Sequence, residues 1–398
     1  MEEKVYDADN SENEPWLMEQ NLDEVFIDPK TNQPLTANYI WSQKGSLREE
    51  LVNRIYEYLR TLEFKDIIPK LTNEELKDKY NSLINNNSYN LYDKENNLVI
   101  NSNSLCTDVL KHFCGELFYS ASGDGKKSYS CKEVFEDNEK LIKVLKNRMG
   151  YRTSKEDGRE RPYIFAMSNK MILQGMRSSG LGYTISTFKP MLAKFIIEYI
   201  DKELLTYSSA RVLDYSAGWG ARALGVGSLN KEYYAIDPLT YDKVNELIKY
   251  YDIKGKVFNG GSENTNTYNE IYDQKLDKTF DIAFSSPPYF SLETYDKSSS
   301  EQSISKYPNY NDWLQGYWDN TVVNIKNVLR DDGIFVLVML EKYKKFNLLD
   351  DMVDICKNNN FEVINVLDIK TSKSHLSGKK KSKEVSKNTE KIIFMKLK

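Results

Sequence analysis

The feature that most constrains the fold is an alternation of short apolar runs with helical segments in the C-terminal half of the chain. The apolar runs have the length of β-strands and span residues 211–214, 233–237, 256–258, 281–285 and 334–339. Segments of helical periodicity lie around and between them, at residues 188–204, 241–251 and 313–329. Apolar strands that alternate with helices form a parallel sheet covered on both faces. The sequence therefore predicts an α/β fold for this half.

The last two apolar runs close the sheet in a different way. Residues 361–368 and 391–398 are separated by the polar loop TSKSHLSGKKKSKEVSKN, with no helical segment between them. Strands that are joined without a helical crossover pair antiparallel. We therefore expect a C-terminal antiparallel hairpin, whose basic tip at residues 378–384 either is solvated or contacts phosphate.

The N-terminal part of the chain follows another pattern. Residues 1–35 are acidic and are expected to be irregular, whereas residues 36–180 are expected to form a mainly helical domain. Ser46 and Thr72 each precede a glutamate by three residues, which is the spacing of a helix-capping box. A stretch rich in glycine and serine marks the predicted boundary with a C-terminal domain, residues 181–398.

Charge is distributed unevenly along the 398 residues, whose formal net charge is −4. Residues 1–30 hold ten acidic side chains and two lysines, so the rest of the chain is basic overall. Residues 140–180 hold ten lysines and arginines against three acids. This stretch either is a solvated face or contacts phosphates, which would make the N-terminal domain a nucleic-acid recognition domain. The candidate contacts are Arg148, Arg152, Arg159 and Arg161.

Composition excludes several classes of protein. No apolar run approaches the roughly 18 residues of a transmembrane helix, and the first residues lack the apolar stretch of a signal peptide. The four cysteines lack CxxC spacing, and the chain has only two histidines. Neither a disulfide framework nor a metal site is expected from such a set. A reduced, cytoplasmic protein without a membrane segment or a metal is the resulting expectation.

A glycine-containing turn follows the first of the apolar strands. Residues 211–225 read RVLDYSAGWGARALG, so a strand ends at Asp214 and small residues precede a helix. Small residues let a ligand approach the backbone, and a helix N-terminus supplies unpaired N–H groups. Asp237, at the end of the next strand, stands where a carboxylate can accept hydrogen bonds from ribose hydroxyls. The alternative is a tight turn with a surface acid.

The tetrapeptide Ser286-Pro287-Pro288-Tyr289 follows the fourth apolar strand. Ligands of open α/β sheets bind at the carboxyl ends of the strands, so this loop should face the same crevice as the glycine turn. The rigid Pro287 carbonyl and Ser286 can accept both protons of an amino group, which leaves the nitrogen lone pair free. Tyr289 offers a ring on which a base can stack. A structural turn with a core tyrosine is the alternative.

These two motifs resemble those of a known family. DYSAGWG at 214–220 and SSPPYF at 285–290 are similar to the cofactor and catalytic motifs of the DNA amino-methyltransferases, and ISTFKPMLAKFI at 185–196 resembles the helix that closes over the methionine end of their cofactor. The resemblance covers roughly residues 185–398. It implies a Rossmann-like methyltransferase sheet, S-adenosylmethionine as cofactor and DNA as partner. The product would be N6-methyladenine or N4-methylcytosine, as in restriction–modification, and serine in the first motif position favours cytosine without settling the choice.

The family's functional positions map onto this chain one by one. The resemblance implies catalytic roles for Ser286, Pro287, Pro288 and Tyr289. It implies cofactor contacts for Phe188, Lys189, Asp214, Ala217, Gly218, Gly220, Asp237, Pro238, Ser262 and Glu263. Trp219 replaces the commoner small or acidic residue of the glycine turn and receives no role. In this interpretation the target base is flipped out of the duplex and methyl transfer depends on alignment rather than on a strong base.

Other interpretations of the C-terminal half remain open. The same chemistry acts on RNA or on a protein amide in proteins with related motifs, and a catalytically silent methyltransferase-like subunit that binds nucleic acid is a third possibility. The polar segment 291–313 is long for a connection, which favours a lid or a binding segment. Its aromatic residues either stack on bases or cover the edge of the sheet.

Overall fold

The structure is a computed structural model, which describes residues 25–43, 45–123, 128–149, 151–153, 160–162, 167–183, 185–371 and 390–398. The chain divides into two compact units. The first unit comprises Met1–Pro69 and Cys131–Tyr183, and the second comprises Lys70–Ser130 and Thr184–Lys398. The expected boundary near residue 180 coincides with the end of the first unit. Residues 70–130, which the sequence placed in the N-terminal domain, belong instead to the unit that contains the sheet.

The helices are numbered along the chain. They are α1 (Ala37–Ser42), α2 (Ser46–Arg60), α3 (Asn73–Asn85), α4 (Thr107–Ser120), α5 (Cys131–Glu136), α6 (Asn138–Met149), α7 (Asn169–Ser178), α8 (Pro190–Tyr199), α9 (Ala221–Gly227), α10 (Tyr241–Tyr250), α11 (Thr265–Asp273), α12 (Ser303–Lys306), α13 (Tyr310–Asp312), α14 (Asn320–Val328) and α15 (Leu348–Asn358). Two π-helical turns continue α8 and α13, at Ile200–Leu204 and Trp313–Asp319. Short 3₁₀ turns occur at Phe64–Ile67 and Ser88–Leu91.

The strands are numbered in the same way. They are β1 (Tyr92–Asp93), β2 (Leu98–Asn101), β3 (Ser122–Gly123), β4 (Tyr129–Ser130), β5 (Tyr151–Thr153), β6 (Glu160–Pro162), β7 (Gly182–Tyr183), β8 (Arg211–Asp214), β9 (Glu232–Ile236), β10 (Gly255–Phe258), β11 (Phe280–Ser285), β12 (Glu293–Thr294), β13 (Leu329–Leu340), β14 (Phe361–Thr371) and β15 (Glu390–Leu397). The five apolar runs that alternate with helical segments thus correspond to β8, β9, β10, β11 and β13.

A mixed sheet forms the centre of the second unit. Its strand order is β1-β2-β14-β15-β13-β11-β8-β9-β10. The five strands β13, β11, β8, β9 and β10 are parallel to one another. Strand β15 lies between β13 and β14 and is antiparallel to both. The predicted α/β fold class, with a mostly parallel Rossmann-like sheet and an antiparallel C-terminal hairpin, is confirmed. The sequence did not predict that β1 and β2 extend the sheet beyond β14.

The sheet is buried on both faces where the two motifs meet it. Every residue of β11 is buried, and successive side chains of a strand point to opposite faces, so both faces are covered. Trp313 and Trp318 are fully buried in the cluster formed with α14 and α15. Helix α8 packs closely on α9 because Gly225 has no side chain; a Cβ there would lie 2.6 Å from the Cβ of Ala193. This close packing fixes the helix that follows the glycine turn.

One of the two predicted capping boxes is present. The Thr72 side chain accepts from the Glu75 N–H, and the Glu75 side chain accepts from the Thr72 N–H. Ser46 was expected to cap α2, but it is the first residue of that helix. The preceding residue, Gly45, occupies the N-cap position with a φ of 56° and no side-chain hydrogen bond. The prediction for Ser46 is wrong because glycine tolerates a left-handed backbone, which lets the chain enter the helix at Ser46.

The first unit contains helices α1, α2, α5, α6 and α7 and the hairpin β5–β6. Its interior holds a buried ion pair, in which Asp28 accepts from Arg54 at 2.8 and 3.0 Å. The Tyr39 hydroxyl donates to the same carboxylate at 2.6 Å. The acidic segment that the sequence treated as irregular therefore supplies at least one residue to the interior of this unit.

Arg148 also lies in the interior of the first unit. It is 4% exposed, and its Nε donates to the Met171 carbonyl at 3.2 Å. Its side chain passes Gly175 of α7, where even a Cβ would be too close. The expected phosphate contact does not fit this position, because the helix turns Arg148 away from solvent. Arg152 and Arg161 are register partners in the β5–β6 hairpin, and Arg159 lies outside the described residues.

Two further observations concern the described part of the chain. No helix in these ranges has both the length and the apolar character needed to cross a membrane. No group of three or more histidine, cysteine, aspartate or glutamate side chains in them is arranged to hold a metal ion.

All four cysteines are buried free thiols, and burial raises the pKa of Cys106 to about 12.

Candidate functional site

Two glycines shape the turn between β8 and α9. Gly218 and Gly220 have φ angles of 55° and 85°, which are left-handed conformations that glycine adopts without strain. A Cβ at Gly218 would lie in ordinary van der Waals contact with Arg222 and Ser216, at 3.7 and 3.8 Å. The Ala217 N–H donates to the Ile236 carbonyl at 3.0 Å and ties the turn to the end of β9.

Asp214, the last residue of β8, is hydrogen-bonded to three groups of the protein. The side chain is fully buried, and its Oδ2 accepts from Arg222 Nε and from the Tyr233 hydroxyl, both at 2.7 Å. Its Oδ1 accepts from the Ser216 N–H at 3.2 Å. The resemblance implied that Asp214 lines the methionine moiety of the cofactor. Its hydrogen bonds join the end of β8 to the glycine turn, α9 and β9, and the implied cofactor contact stays a prediction.

Arg222 connects the glycine turn to the segment before α8. Its terminal nitrogen donates to the Ser216 carbonyl, and its guanidinium carbon lies 5.1 Å from the centre of the Phe188 ring. Phe188 also packs edge-on against Phe284 of β11, with 5.8 Å between the ring centres. Lys189, the next residue, is the N-cap of α8. Phe188 therefore contacts Arg222, which itself bonds to the glycine turn; its implied place at the methionine end of the cofactor stays a prediction.

Asp237 follows β9 and binds three backbone N–H groups. Its Oδ1 accepts from Leu239 and Thr240, and its Oδ2 accepts from Gly218, all at 2.9 Å. Burial raises the pKa of the Asp237 carboxyl above its usual value, although these N–H groups oppose the rise. The Thr240 side chain also hydrogen-bonds to the carboxylate, so Asp237 is held at the end of β9 by several donors. The half-buried Pro238 comes next in the chain.

The two residues implied at the adenine edge of the cofactor have partners within the protein. The Ser262 and Thr321 hydroxyls share a hydrogen bond of 3.0 Å, and Glu263 accepts from Lys306 at 3.1 Å. Ser262 and Glu263 are 3% and 8% exposed. Tyr317, which belongs to the π-helical turn after α13, also hydrogen-bonds to Ser262. Together these side chains form a polar wall at the carboxyl end of β10.

The Ser286-Pro287-Pro288-Tyr289 loop begins where β11 ends, next to the glycine turn. The preceding residue, Ser285, is fully buried and its Oγ donates to the Ser216 carbonyl at 3.3 Å. Ser216 belongs to the glycine turn, so the two motifs lie against each other in the structure. Pro287 is buried and Pro288 is half-buried. The sequence predicted that both motifs face one crevice, and the folded chain brings them together.

Tyr289 is held through its hydroxyl group. The hydroxyl donates to Glu390 Oε1 at 3.0 Å and lies 3.0 Å from Ser286 Oγ. Burial raises the pKa of Tyr289 well above its usual value, and the nearby Glu390 adds to this effect. The hydroxyl is therefore neutral at ordinary pH. Sequence reasoning gave a role to the tyrosine ring only and did not find Glu390, which is 101 residues further along the chain.

Segment 291–313 contacts the glycine turn through Tyr295. Tyr295 packs edge-on against Trp219, with 6.0 Å between ring centres, and donates to Glu293 at 3.1 Å. Burial raises the pKa of Glu293 to about 7. These contacts give Trp219 the partner that the sequence could not supply. The aromatic residues of the segment differ in their surroundings. Trp313 is fully buried in the core and covers the sheet, whereas Tyr295 contacts Trp219 of the glycine turn.

Comparisons with known proteins find similarity only among solved structures. No family model matches the chain, and no curated protein sequence matches it. A TehB-like SAM-dependent methyltransferase from Corynebacterium glutamicum is 12% identical, over 56% of this chain and 94% of that chain, with a TM-score of 0.32. A S-adenosylmethionine-dependent methyltransferase from Clostridium acetobutylicum is 15% identical, over 52% and 90%, with a TM-score of 0.33. The 1,6-didemethyltoxoflavin-N1-methyltransferase of Burkholderia thailandensis is 11% identical, over 52% of this chain and 77% of that chain, with a TM-score of 0.34. Similarity of this degree says nothing about a substrate.

Proposed function

We propose that this protein is an S-adenosylmethionine-dependent methyltransferase that methylates the exocyclic amine of a base flipped out of DNA. The observation that carries the proposal is the hydrogen bond from Ser285 to Ser216, which joins the catalytic-type loop to the glycine turn. A methyl donor held by the turn and an amine held by the loop would be neighbours. Alignment of two reactants in this way accounts for much of the rate gain in group transfer.

The glycine turn suits S-adenosylmethionine, which supplies an electrophilic methyl group on a sulfonium ion. Gly218 and Gly220 have no side chain between the turn and a ligand, and the Asp237 carboxylate at the end of β9 suits a ribose hydroxyl. Pro238 and the polar wall of Ser262 and Glu263 would border the adenine ring. Ala217 and Gly220 would line the methionine moiety, with Phe188 and Lys189 at its far end.

The loop suits an amine as methyl acceptor. Ser286 and the Pro287 carbonyl can each accept one proton of an –NH₂ group, so the nitrogen lone pair stays available for the methyl group. The ring of Tyr289 would stack on the base that carries the amine, which is worth roughly 1–3 kcal/mol per base. DNA is proposed as the polymer because the S-P-P-Y tetrapeptide resembles the motif of the DNA amino-methyltransferases and because residues 140–180 carry excess positive charge.

The test is transfer of a labelled methyl group from S-adenosylmethionine to DNA, RNA and protein offered in parallel. We expect label in DNA, recovered after hydrolysis as N6-methyladenine or N4-methylcytosine. Label in RNA or protein alone would replace the proposed substrate and keep the chemistry. If S-adenosylmethionine also failed to raise the melting temperature, the methyltransferase assignment would be rejected.

Tyr289→Ala provides the matching mutational test. Methyl transfer should fall by orders of magnitude, because the base loses its stacking surface and Ser286 loses its hydrogen-bond partner. Affinity for S-adenosylmethionine should stay close to that of the wild type, since Asp237 and the glycine turn are untouched. Tyr250→Ala, at an exposed tyrosine, is the control and should keep full activity. Full activity in Tyr289→Ala would refute the role of the loop.

A further inference from the structure

The hydroxyl groups of the loop form a chain that ends on a carboxylate. Glu390, the first residue of β15, accepts from the Tyr289 hydroxyl at 3.0 Å, and the Tyr289 oxygen lies 3.0 Å from Ser286 Oγ. The neighbouring Lys391 bonds to Asp368 and Glu341, at 2.7 and 3.3 Å, rather than to Glu390. A half-buried carboxylate thus lies at one end of a row of hydroxyls whose other end is the proposed amine-binding serine.

The direction of each hydrogen bond follows from the chemistry of the groups. An ionised carboxylate only accepts, and a hydroxyl has a single proton to donate. Because Tyr289 donates its proton to Glu390, the proton in the Ser286–Tyr289 hydrogen bond must come from Ser286. Ser286 then presents only lone pairs to a bound substrate. A serine without this constraint could rotate and donate to the amine, which would occupy the nitrogen lone pair that must attack the methyl group.

We infer that Glu390 is a positioning residue for methyl transfer, which acts through Tyr289 to keep Ser286 a hydrogen-bond acceptor and to take up the proton that the substrate nitrogen releases. The inference rests on the proposed function and narrows its substrate. The methyl acceptor must donate an N–H to Ser286, as an exocyclic amine does. A ring nitrogen without hydrogen, an oxyanion or a thiolate cannot do so.

The proton balance of the transfer involves each member of the chain. The substrate nitrogen forms a bond to the methyl carbon while the carbon–sulfur bond breaks, and the sulfonium becomes a neutral thioether. The nitrogen, which now carries a positive charge, gives one proton to Ser286 Oγ. The original proton of Ser286 moves to the Tyr289 oxygen, and the Tyr289 proton moves to Glu390. Burial raises the pKa of Glu390 above its usual value, which favours the neutral acid formed at the end.

The activity test compares full-length variants under single-turnover conditions. Glu390→Gln should lower the methyl-transfer rate constant about 100-fold, at the low end of what general acid–base groups contribute. The Kd for S-adenosylmethionine and for DNA should change less than about twofold, since neither ligand touches this side chain. Glu362→Gln, at an exposed position on the adjacent strand β14, is the control and should keep the wild-type rate.

A second comparison uses the middle of the chain. Tyr289→Phe keeps the ring and removes the hydroxyl, so its rate should fall as far as that of Glu390→Gln. The double variant should be no slower than the slower single variant, because links of one hydrogen-bond chain are not additive. Two independent losses that multiply in the double variant would contradict a shared chain.

A third readout does not depend on turnover. Infrared difference spectra between wild type and Glu390→Gln report the carboxyl band of Glu390 as the pH changes. Tyr289→Phe should move the midpoint of this band to higher pH, because the tyrosine hydrogen bond stabilises the carboxylate. Glu293, which is bonded to Tyr295 and to the Ser186 N–H, is another acid that acts on Tyr289. The spectra are therefore repeated with Glu293→Gln present.

The outcomes separate the inference from the proposed function. A Glu390→Gln rate within twofold of an active wild type, or an unchanged infrared midpoint in Tyr289→Phe, would overturn the inference. Failure of the wild type to methylate any amine would reject the proposed function, and the infrared midpoint would still test the chain in the folded protein. If Glu390→Gln does not fold, as judged by circular dichroism, Tyr289→Phe alone carries the rate comparison.

Discussion

Asp237→Asn isolates the link between the glycine turn and the second strand. The carboxylate binds the N–H groups of Leu239 and Thr240 through one oxygen and that of Gly218 through the other. An asparagine amide has only one acceptor oxygen. The amide can adopt two orientations. The one that keeps more hydrogen bonds places its oxygen at Leu239 and Thr240 and turns the –NH₂ group toward the Gly218 N–H, so that two donors face each other.

The size of the effect follows from this geometry. The variant lacks one hydrogen bond to a charged acceptor, which is worth about 1.5–3 kcal/mol. It also lacks the negative charge that would strengthen a hydrogen bond from a ribose hydroxyl. If S-adenosylmethionine binds to the turn in its present shape, the Kd should increase roughly 10- to 150-fold, since about 1.4 kcal/mol corresponds to a factor of ten.

Calorimetric titration with S-adenosylmethionine measures this change directly. Asp242→Asn is the matched control, because Asp242 is an exposed aspartate in the first turn of α10, five residues away. Its Kd should equal that of the wild type. An unchanged Kd for a folded Asp237→Asn protein would refute both the ribose contact and the role of Asp237 in shaping the turn.

Two further predictions concern pH and salt. Burial raises the pKa of Glu293 from 4.5 to about 7 in the folded protein, so between these values the folded state binds more protons than the unfolded state. The free energy of unfolding should then decrease by up to about 3 kcal/mol as pH rises through this window. Urea titrations at pH 4.5 and 7.5 measure this decrease, which Glu293→Gln should remove. An equal decrease in the wild type and in Glu293→Gln would contradict the assignment. In the first unit, the double variant Arg152→Gln/Arg161→Gln should bind DNA more weakly. The slope of log K against log salt concentration should fall in magnitude by about 0.9 for each phosphate that the variant no longer neutralises. An unaltered slope would favour the solvated-face interpretation.

Some contacts of the site could not be predicted from the sequence, even though the residues themselves stood out. Asp214 was recognised as the end of a strand before a glycine turn, but its partners, Arg222 of α9 and Tyr233 of β9, were not. An arginine as the second residue of the following helix was the available signal. Helical geometry points that residue back toward the preceding turn, where a buried carboxylate stabilises its charge.

The pattern of strands and helices is the part that the sequence determined by itself. The runs that became β8, β9, β10, β11 and β13 were each located within a few residues of their final bounds, apart from the first residues of β13. This works because apolar periodicity and turn residues are local signals, carried by neighbours along the chain. The placement of the glycine turn and the S-P-P-Y loop on one side followed as well, since the carboxyl ends of parallel strands meet at one edge.

Only the tertiary structure decided which side chains complete the site. Glu390 reaches Tyr289 from 101 residues away, because β15 inserts antiparallel beside β13 and brings its first residue to the carboxyl edge of the parallel strands. Trp219 meets Tyr295 and Phe118 for a similar reason, through segments distant in sequence. Such pairs depend on strand order and register, which arise from burial over the whole sheet. No local pattern encodes them, so the hydroxyl chain behind Ser286 became visible only in the folded protein.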